Sequence, residues 1–350
     1  MATRYAADAL RSAAAALLGA AGMEAAVARD VASVLVEGDL LGHDTHGLAL
    51  LAPYLTEFES GSMRTSGSYR VIEERAATAL WDGERLPGPW LVLRAVDDAI
   101  ERAQRCGTGT IVIRRSHHIA CLAAYLSRAT ERGFVLLVTC SDPNSASVAP
   151  HGGLTPVFTP DPLAFGVPTS GDPVLIDLSA SLTTNGMTAR LHKHGQRLAH
   201  RWLLDAAGQA TDDPAALFVE PKGTILPTGG VDAGHKGYAL ALIVEMLTGA
   251  LAGFGRADSK EGWGATVLVQ AYDPAAFGGP AAFLRQADWL VAACRANPPR
   301  PGAGAVRLPG QRGLALKREQ IKDGIALHED IMPALAPWAG KLTVALPAAL

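Results

Sequence analysis

The sequence predicts a mixed α/β fold entered through a helical N-terminal region. Three observations carry this. Apolar residues recur at helical spacing from Leu10 to Phe58. Beyond Thr110, short apolar runs alternate with amphipathic stretches. No Gly-x-Gly-x-x-Gly turn follows any predicted strand, so the sheet lacks the usual Rossmann fingerprint: Gly107-Thr108-Gly109 precedes a strand, and Gly302-Ala303-Gly304 meets Arg307 where a third small residue belongs.

Leu10, Ala13, Ala14 and Leu17 make a first helical stripe. Val27, Val31, Val34 and Leu35 make a second, closed by Gly38 and Gly42. Helix resumes from Leu50 to Phe58 and ends at Gly61. Residues 63–85 hold turn chemistry and strand-like pieces such as Ala79-Leu80-Trp81. Val92, Val96, Ile100 and Ala103 phase a further helix leading into the strand Thr110–Ile113. Then follow a helix over Leu122–Arg132, strands at Phe134–Thr139 and Pro173–Asp177, and a strand running into a turn over Leu203–Gly208. A long helix starts at Tyr238. Ala265–Gln270 is a late strand, and Phe283, Ala287, Leu290, Val291 and Cys294 share a helix face. Pro298–Gly302 is a linker, after which Lys317–Lys322 and Asp330–Ala339 return to helix.

With 350 residues, 49% hydrophobic, and a formal charge of −3, the chain can build two ordinary cores and is too near neutrality for nucleic acid. Cys106, Cys121, Cys140 and Cys294 form no CxxC pair and read as small buried hydrophobes in a reducing, cytoplasmic setting. Asp8 and Arg11 break the alanine-rich start, against a secretory signal. Gly237–Gly255 is the membrane candidate, but Glu245 sits in its middle, so it reads as a buried core helix and no membrane partner is expected.

Two polar knots interrupt apolar runs: Gly42-His43-Asp44-Thr45-His46-Gly47 and Arg114-Arg115-Ser116-His117-His118. Buried polar groups need partners, so such knots build sites better than cores. His46 and His118 titrate near neutrality and suit proton exchange with a substrate. The bland alternative is a pair of hydrogen-bonded structural histidines. A zinc set from His43, His46, Asp44 and His117 or His118 is the sharper rival. It is disfavoured because a helix-ending glycine precedes the first pair and adjacent histidines point apart on an extended chain, so no metal is expected. A Thr-His-Asp triad lacks a nucleophile elbow. Ahead of the long helix, Gly234-His235-Lys236-Gly237 offers backbone N–H groups and a cation to a phosphate, or is only a flexible capping loop. Asp161, Asp177 and Ser179-Ala180-Ser181 complete the polar inventory.

In their order these segments resemble the malate/L-lactate dehydrogenase family of the non-Rossmann kind. Its relatives include ureidoglycolate dehydrogenase, sulfolactate dehydrogenase, 2,3-diketogulonate reductase and cyclic imino acid reductases. The resemblance runs through Asp39–Gly47 with Tyr54, Ser116–Tyr125, Val148–Gly153, Thr159–Pro162, Asp177–Ser181, Gly234–Tyr238 and Leu308–Gly310. It implies a helical domain from both chain ends (1–75 with 305–350), beside a mixed α/β domain (76–304) that holds NAD or NADP. It also implies a homodimer with active sites near the interface.

The implied activity is hydride transfer between nicotinamide and a small 2-hydroxy or 2-oxo acid. Reduction of a cyclic imine is the alternative; a histidine-metal hydrolase or a non-catalytic ligand binder lies further off. His46 would be the proton donor, with Thr45 and Asp177 orienting its ring and the carboxylate sustaining its charged form. His118 is the rival acid/base or a contact to nicotinamide and substrate. Tyr54 and Thr159 would touch substrate. Asp177, Leu178, Ser179, Ser181, His235, Lys236, Gly237, Gly310, Gln311 and Arg312 would hold the dinucleotide. Three departures stand out. Leu50 replaces the family's carboxylate-gripping arginine, so Arg114, Arg115 or His117 takes that role or the substrate lacks the group. Asp161 replaces asparagine, exchanging an amide donor for a charge. Gln311 and Arg312 replace a common acidic turn, which leaves NAD and NADP both open.

Overall fold

The computed structural model describes residues 3–258 and 262–350. A short strand β1 (Arg4–Tyr5) leads into helices α1 (Ala7–Ala20), α2 (Ala25–Leu40) and α3 (Leu51–Glu59). Then come β2 (Arg70–Glu74), β3 (Thr78–Asp82), α4 (Gly88–Cys106), β4 (Thr108–Ser116), a short α5 (Ser127–Thr130), β5 (Val135–Ser141), β6 (Pro162–Val167) and β7 (Val174–Ser179). The chain continues through α6 (Asn185–Lys193), β8 (Leu203–Leu204), β9 (Ala210–Thr211), β10 (Thr224–Ile225), α7 (Gly230–Ala233) and α8 (His235–Glu245). It ends with β11 (Ala265–Tyr272), α9 (Pro280–Arg295), α10 (Gln311–Asp323), β12 (Ile325–Ala326) and α11 (Ile331–Leu342).

The main sheet runs β2-β3-β4-β11-β5-β6-β7 among the described residues. Only β3 and β4 pair in parallel there, with α4 as their crossover, so the sheet is mixed. The phased residues Val92, Val96, Ile100 and Ala103 are all buried in α4, which packs on β4 and β11. Helices from both chain ends share one layer: α11 lies against α1 and α3, α10 lies against α2, and β1 pairs with β12. The apolar core is continuous from Leu17 and Leu35 through Val96 and Ile113 to Leu335. A smaller core around Phe158, Leu203 and Ile225 supports the loops beside β7.

Several expectations are corrected. Gly38 does not close α2; the helix runs to Leu40 and stops at Gly42, whose φ of 85° sets a C-terminal cap, with His43 N–H bonding Gly38 O at 2.8 Å and Gly42 N–H bonding Asp39 O at 3.0 Å. The helix expected over Leu122–Arg132 is a 3-10 turn at Leu122–Tyr125 followed by the short α5. The stretch expected as a buried core helix is α8 continuing into a π-helical turn at Met246–Ala250, and Ile243, Met246 and Leu251 on it are exposed. Cys121 and Cys140 are buried, but Cys106 is exposed and Cys294 half-buried. No described helix is long and apolar enough to cross a membrane.

Candidate active site

The cap at Gly42 turns the chain across the end of α2. His46 N–H then bonds His43 O at 2.8 Å, and Asp39, in the last turn of α2, accepts the Leu48 N–H at 2.7 Å. That carboxylate pins the loop from below, because Gly47 lies so close that a Cβ there would meet it at 2.4 Å. On top, the Thr45 hydroxyl is 2.8 Å from His46 Nδ1.

The second knot comes off the end of β4 and faces the first. The His46 and His118 rings lie 5.9 Å apart. His118 Nδ1 accepts the Ala120 N–H at 3.2 Å and lies 2.9 Å from the Tyr54 hydroxyl. A backbone N–H can only donate, so the neutral ring carries its proton on Nε2. The Trp263 ring covers His118 at 4.6 Å, and Tyr54 packs against both.

Both histidines are uncharged at rest. Burial pushes His46 down to about 4, with His43 and Arg190 adding to the effect and Asp44 opposing it. Burial also holds His118 well below the usual range. This corrects the expected support from Asp177. Its Oδ2 accepts from Ala123 N–H at 2.8 Å and lies 3.8 Å from Cys121 Sγ, and the charge it feels is that of His43, not His46. Of the expected orienting pair, Thr45 reaches the ring and Asp177 does not.

Other expected contacts are also redirected. Arg115 is engaged by Asp82 at 3.0 Å and Glu84 at 3.3 Å; Arg114 is held by the same Asp82. His117 is buried, 3.2 Å from Glu57. None of the three is free to grip a substrate in the way expected. Thr159 donates to Asp161 at 2.7 Å inside a buried cluster with Ser141, rather than meeting the histidines. Asp161 itself does not bring a charge: burial, then Glu245, push its carboxyl up to about 8, so it stays protonated at neutral pH and keeps a donor. The rival zinc set of His43, His46, Asp44 and His117 or His118, disfavoured from the sequence, does not assemble; among the described residues, donor atoms converge instead at His43, Cys121 and Asp177, and at His194, His328 and Asp330.

A cleft of about 1050 Å³ opens beside the loop, lined by His43, Asp177, Leu178, Arg307, Gly310 and Arg312. The N-terminus of α10 points its first turn here, and Gly310, with φ of 81°, lies where a Cβ would meet Leu175 at 2.7 Å. A helix N-terminus with arginines at the rim of a cleft this size fits the charged pyrophosphate of a dinucleotide. Gln311 bends back to accept the Leu308 N–H. The Ser179 and Ser181 hydroxyls bond carbonyls of their own turn. Gly237 departs from the phosphate-cradle expectation, since its N–H bonds Thr228 O at 3.0 Å, while Thr228 N–H bonds Ala180 O at 2.7 Å. Its role is close packing of the α8 start onto the 177–181 segment. His235 and Lys236 remain exposed on that turn.

Residues 5–336 match the model of the malate/L-lactate dehydrogenase family. The chain belongs to this family. It is 32% identical over 340 residues to L-lactate dehydrogenase from Cupriavidus necator, covering 95% of this chain and 96% of that one. It is also 32% identical over 333 residues to (2R)-3-sulfolactate dehydrogenase (NADP(+)) from Chromohalobacter salexigens, covering 93% and 94%. The structure of delta1-piperideine-2-carboxylate reductase from Pseudomonas syringae superposes with a TM-score of 0.83 at 26% identity, covering 96% and 99%. The chain is accordingly a nicotinamide-dependent oxidoreductase of the dehydrogenase type. Within that setting, Glu57, Arg190 and Trp263 touch the two knots, and the motifs did not single them out. Trp263 had one signal, a tryptophan between two glycines; Arg190, on a polar helix, had none.

Proposed function

We propose that this chain moves a hydride reversibly between a nicotinamide dinucleotide and a small 2-hydroxy or 2-oxo acid, with His46 handling the proton. The observation that carries this is the facing pair of neutral histidines with different freedoms. His118 is locked as an Nε2–H donor, suited to a substrate oxygen, while His46 is oriented only through Nδ1 by Thr45. In oxidation, neutral His46 takes the hydroxyl proton. In reduction, the carboxylate of a bound oxo acid raises the ring's proton affinity and lets it donate. When bound, the nicotinamide ring accepts or supplies the hydride. Trp263, Tyr54 and Leu50 would wall off the reacting centre, and Leu178, Arg307, Arg312 and the α10 N-terminus would hold a dinucleotide.

Arg312 tolerates a 2′-phosphate without requiring one, so both NADH and NADPH are expected to bind. The likeness to an imino acid reductase supports a second reading, in which His46 protonates an imine nitrogen. The proposal includes a homodimer with its active sites near the interface and a reducing, cytoplasmic setting, in which the four thiols stay free.

The test is titration with NADH and NADPH by protein-to-nucleotide fluorescence transfer, followed by an oxo- and hydroxy-acid screen. His46→Gln should lower kcat about a hundredfold or more while NADH affinity stays near wild type. Absence of binding to either nucleotide overturns the reading, and an unchanged kcat passes the proton role to His118.

A further inference from the structure

Asp44, two residues before His46, is gripped by an arginine from another part of the fold. Arg190 Nη1 lies 2.9 Å from Asp44 Oδ1, and its Nη2 donates to the Asp44 carbonyl at 2.8 Å. This fork spans a side chain and a main chain, a geometry that lysine cannot reproduce. The Arg190 side chain is 15% exposed, so the pair is only partly screened by water. One turn earlier on α6, a Cβ at Gly186 would lie 3.6 Å from Thr45 Cβ and 4.0 Å from His46 Cε1. The helix therefore touches the loop at two successive turns. It also begins directly after the Asp177–Ser181 segment, with Thr184 as its N-cap.

We infer that Arg190 is a positioning residue, forming with Asp44 a charge-balanced clamp that docks α6 onto the proton-transfer loop and sets the surroundings of the His46 ring. The inference rests on the role of His46 proposed above. The groups facing that ring are Thr45 at Nδ1, the His118 ring, His43, Asp44, Arg190 and the Gly186 backbone. Beneath the loop, burial pushes the Asp39 carboxyl up to about 8 against the Leu48 N–H, and the same two charges act on it in opposite senses, Asp44 raising and Arg190 lowering it. Arg190 and Asp44 thus bias His46 in opposite senses, while both hold the loop in place.

Opposed signs separate a charge clamp from a merely structural one. The measurement is the pH dependence of kcat for hydroxy-acid oxidation in Arg190→Met, Arg190→Lys and Asp44→Asn. The acid limb should move to higher pH in Arg190→Met and to lower pH in Asp44→Asn. Arg190→Lys should keep the limb in place but lose about tenfold in kcat, because the fork is gone. The same order should appear in the titration of the His46 ring C–H resonance by NMR, assigned by its loss in His46→Gln. Shifts in one direction for both charge removals, or none, overturn the clamp. A wild-type protein that turns over no acid defeats the dehydrogenase reading instead, and the resonance order still decides the clamp.

Discussion

Asp161 is a carboxyl in a place where water cannot reach it. Its Oδ1 accepts from Thr159, its Oδ2 has no hydrogen-bond partner among the described residues, and burial moves its proton affinity up to about 8. An unfolded carboxyl ionises near 3.8, so folding takes up a proton between those two values. Protonated Asp161 therefore suits the native state at low pH, and that advantage is lost as pH rises toward 8. Asp161→Asn should raise the melting midpoint more at pH 8 than at pH 5, measured by thermal unfolding in both buffers. An equal effect at the two values would mean that Asp161 is ionised in the native protein. At this scale the two polar knots read from the sequence lie side by side, with His46 beside Thr45 and His118 beside Tyr54, because turns between apolar runs localise polar groups. The sequence did not show that Asp177, Arg115 and Thr159 are hydrogen-bonded or ion-paired to other groups, because spacing along a chain says nothing about which partner captures a charge first. Asp82 and Glu84 claim Arg115, and Ala123 and Cys121 claim Asp177.

Elements whose burial is periodic were legible, and elements whose burial is not were missed. α1, α2, α4, β4, β5 and β11 show their buried faces in the sequence and form where expected. α6 buries only Thr188, so it carries no apolar stripe and gives no signal, although it touches the His43–Gly47 loop. β6 begins at a proline and fully buries only the small Ala164 and Gly166, which make no apolar stripe, and β2 is exposed throughout. The turn before α8 leaves phosphate cradle and capping loop both open in the sequence, because glycine before a helix serves anion access or close packing alike. Here packing wins: a Cβ at Gly237 would lie 2.3 Å from Thr228 N and 2.6 Å from Ala180 O. Both are backbone atoms and cannot rotate aside. Gly237→Ala should destabilise the fold by about 1–3 kcal/mol and weaken NADH binding through the displaced 177–181 segment. Chemical denaturation and the nucleotide titration read the two effects separately. Unchanged values in both would show that the segment yields freely.

The whole molecule joins its two chain ends into one helical layer, fixed by the β1–β12 pair and by a core shared with the sheet. No periodicity reveals that union, since it depends on contacts more than three hundred residues apart along the chain, such as Arg4 with Glu319 and Gly324. A single chain leaves α9 and the turn after α8 largely uncovered. α9 has an apolar stripe yet none of its residues is fully buried, and Trp289 on it is 68% exposed. Met246, on the turn after α8, is 59% exposed. A sixteen-residue helix holds in water mainly through a packed face, so an α9 with so little cover calls for a partner surface. The proposed homodimer would supply one. Light scattering behind size exclusion should give a dimer mass at micromolar concentration, and Trp289→Glu or Met246→Glu should shift it toward monomer with a lower melting midpoint. If the wild-type chain is a monomer with full activity, the dimer is not part of its working state, and those apolar side chains face some other surface.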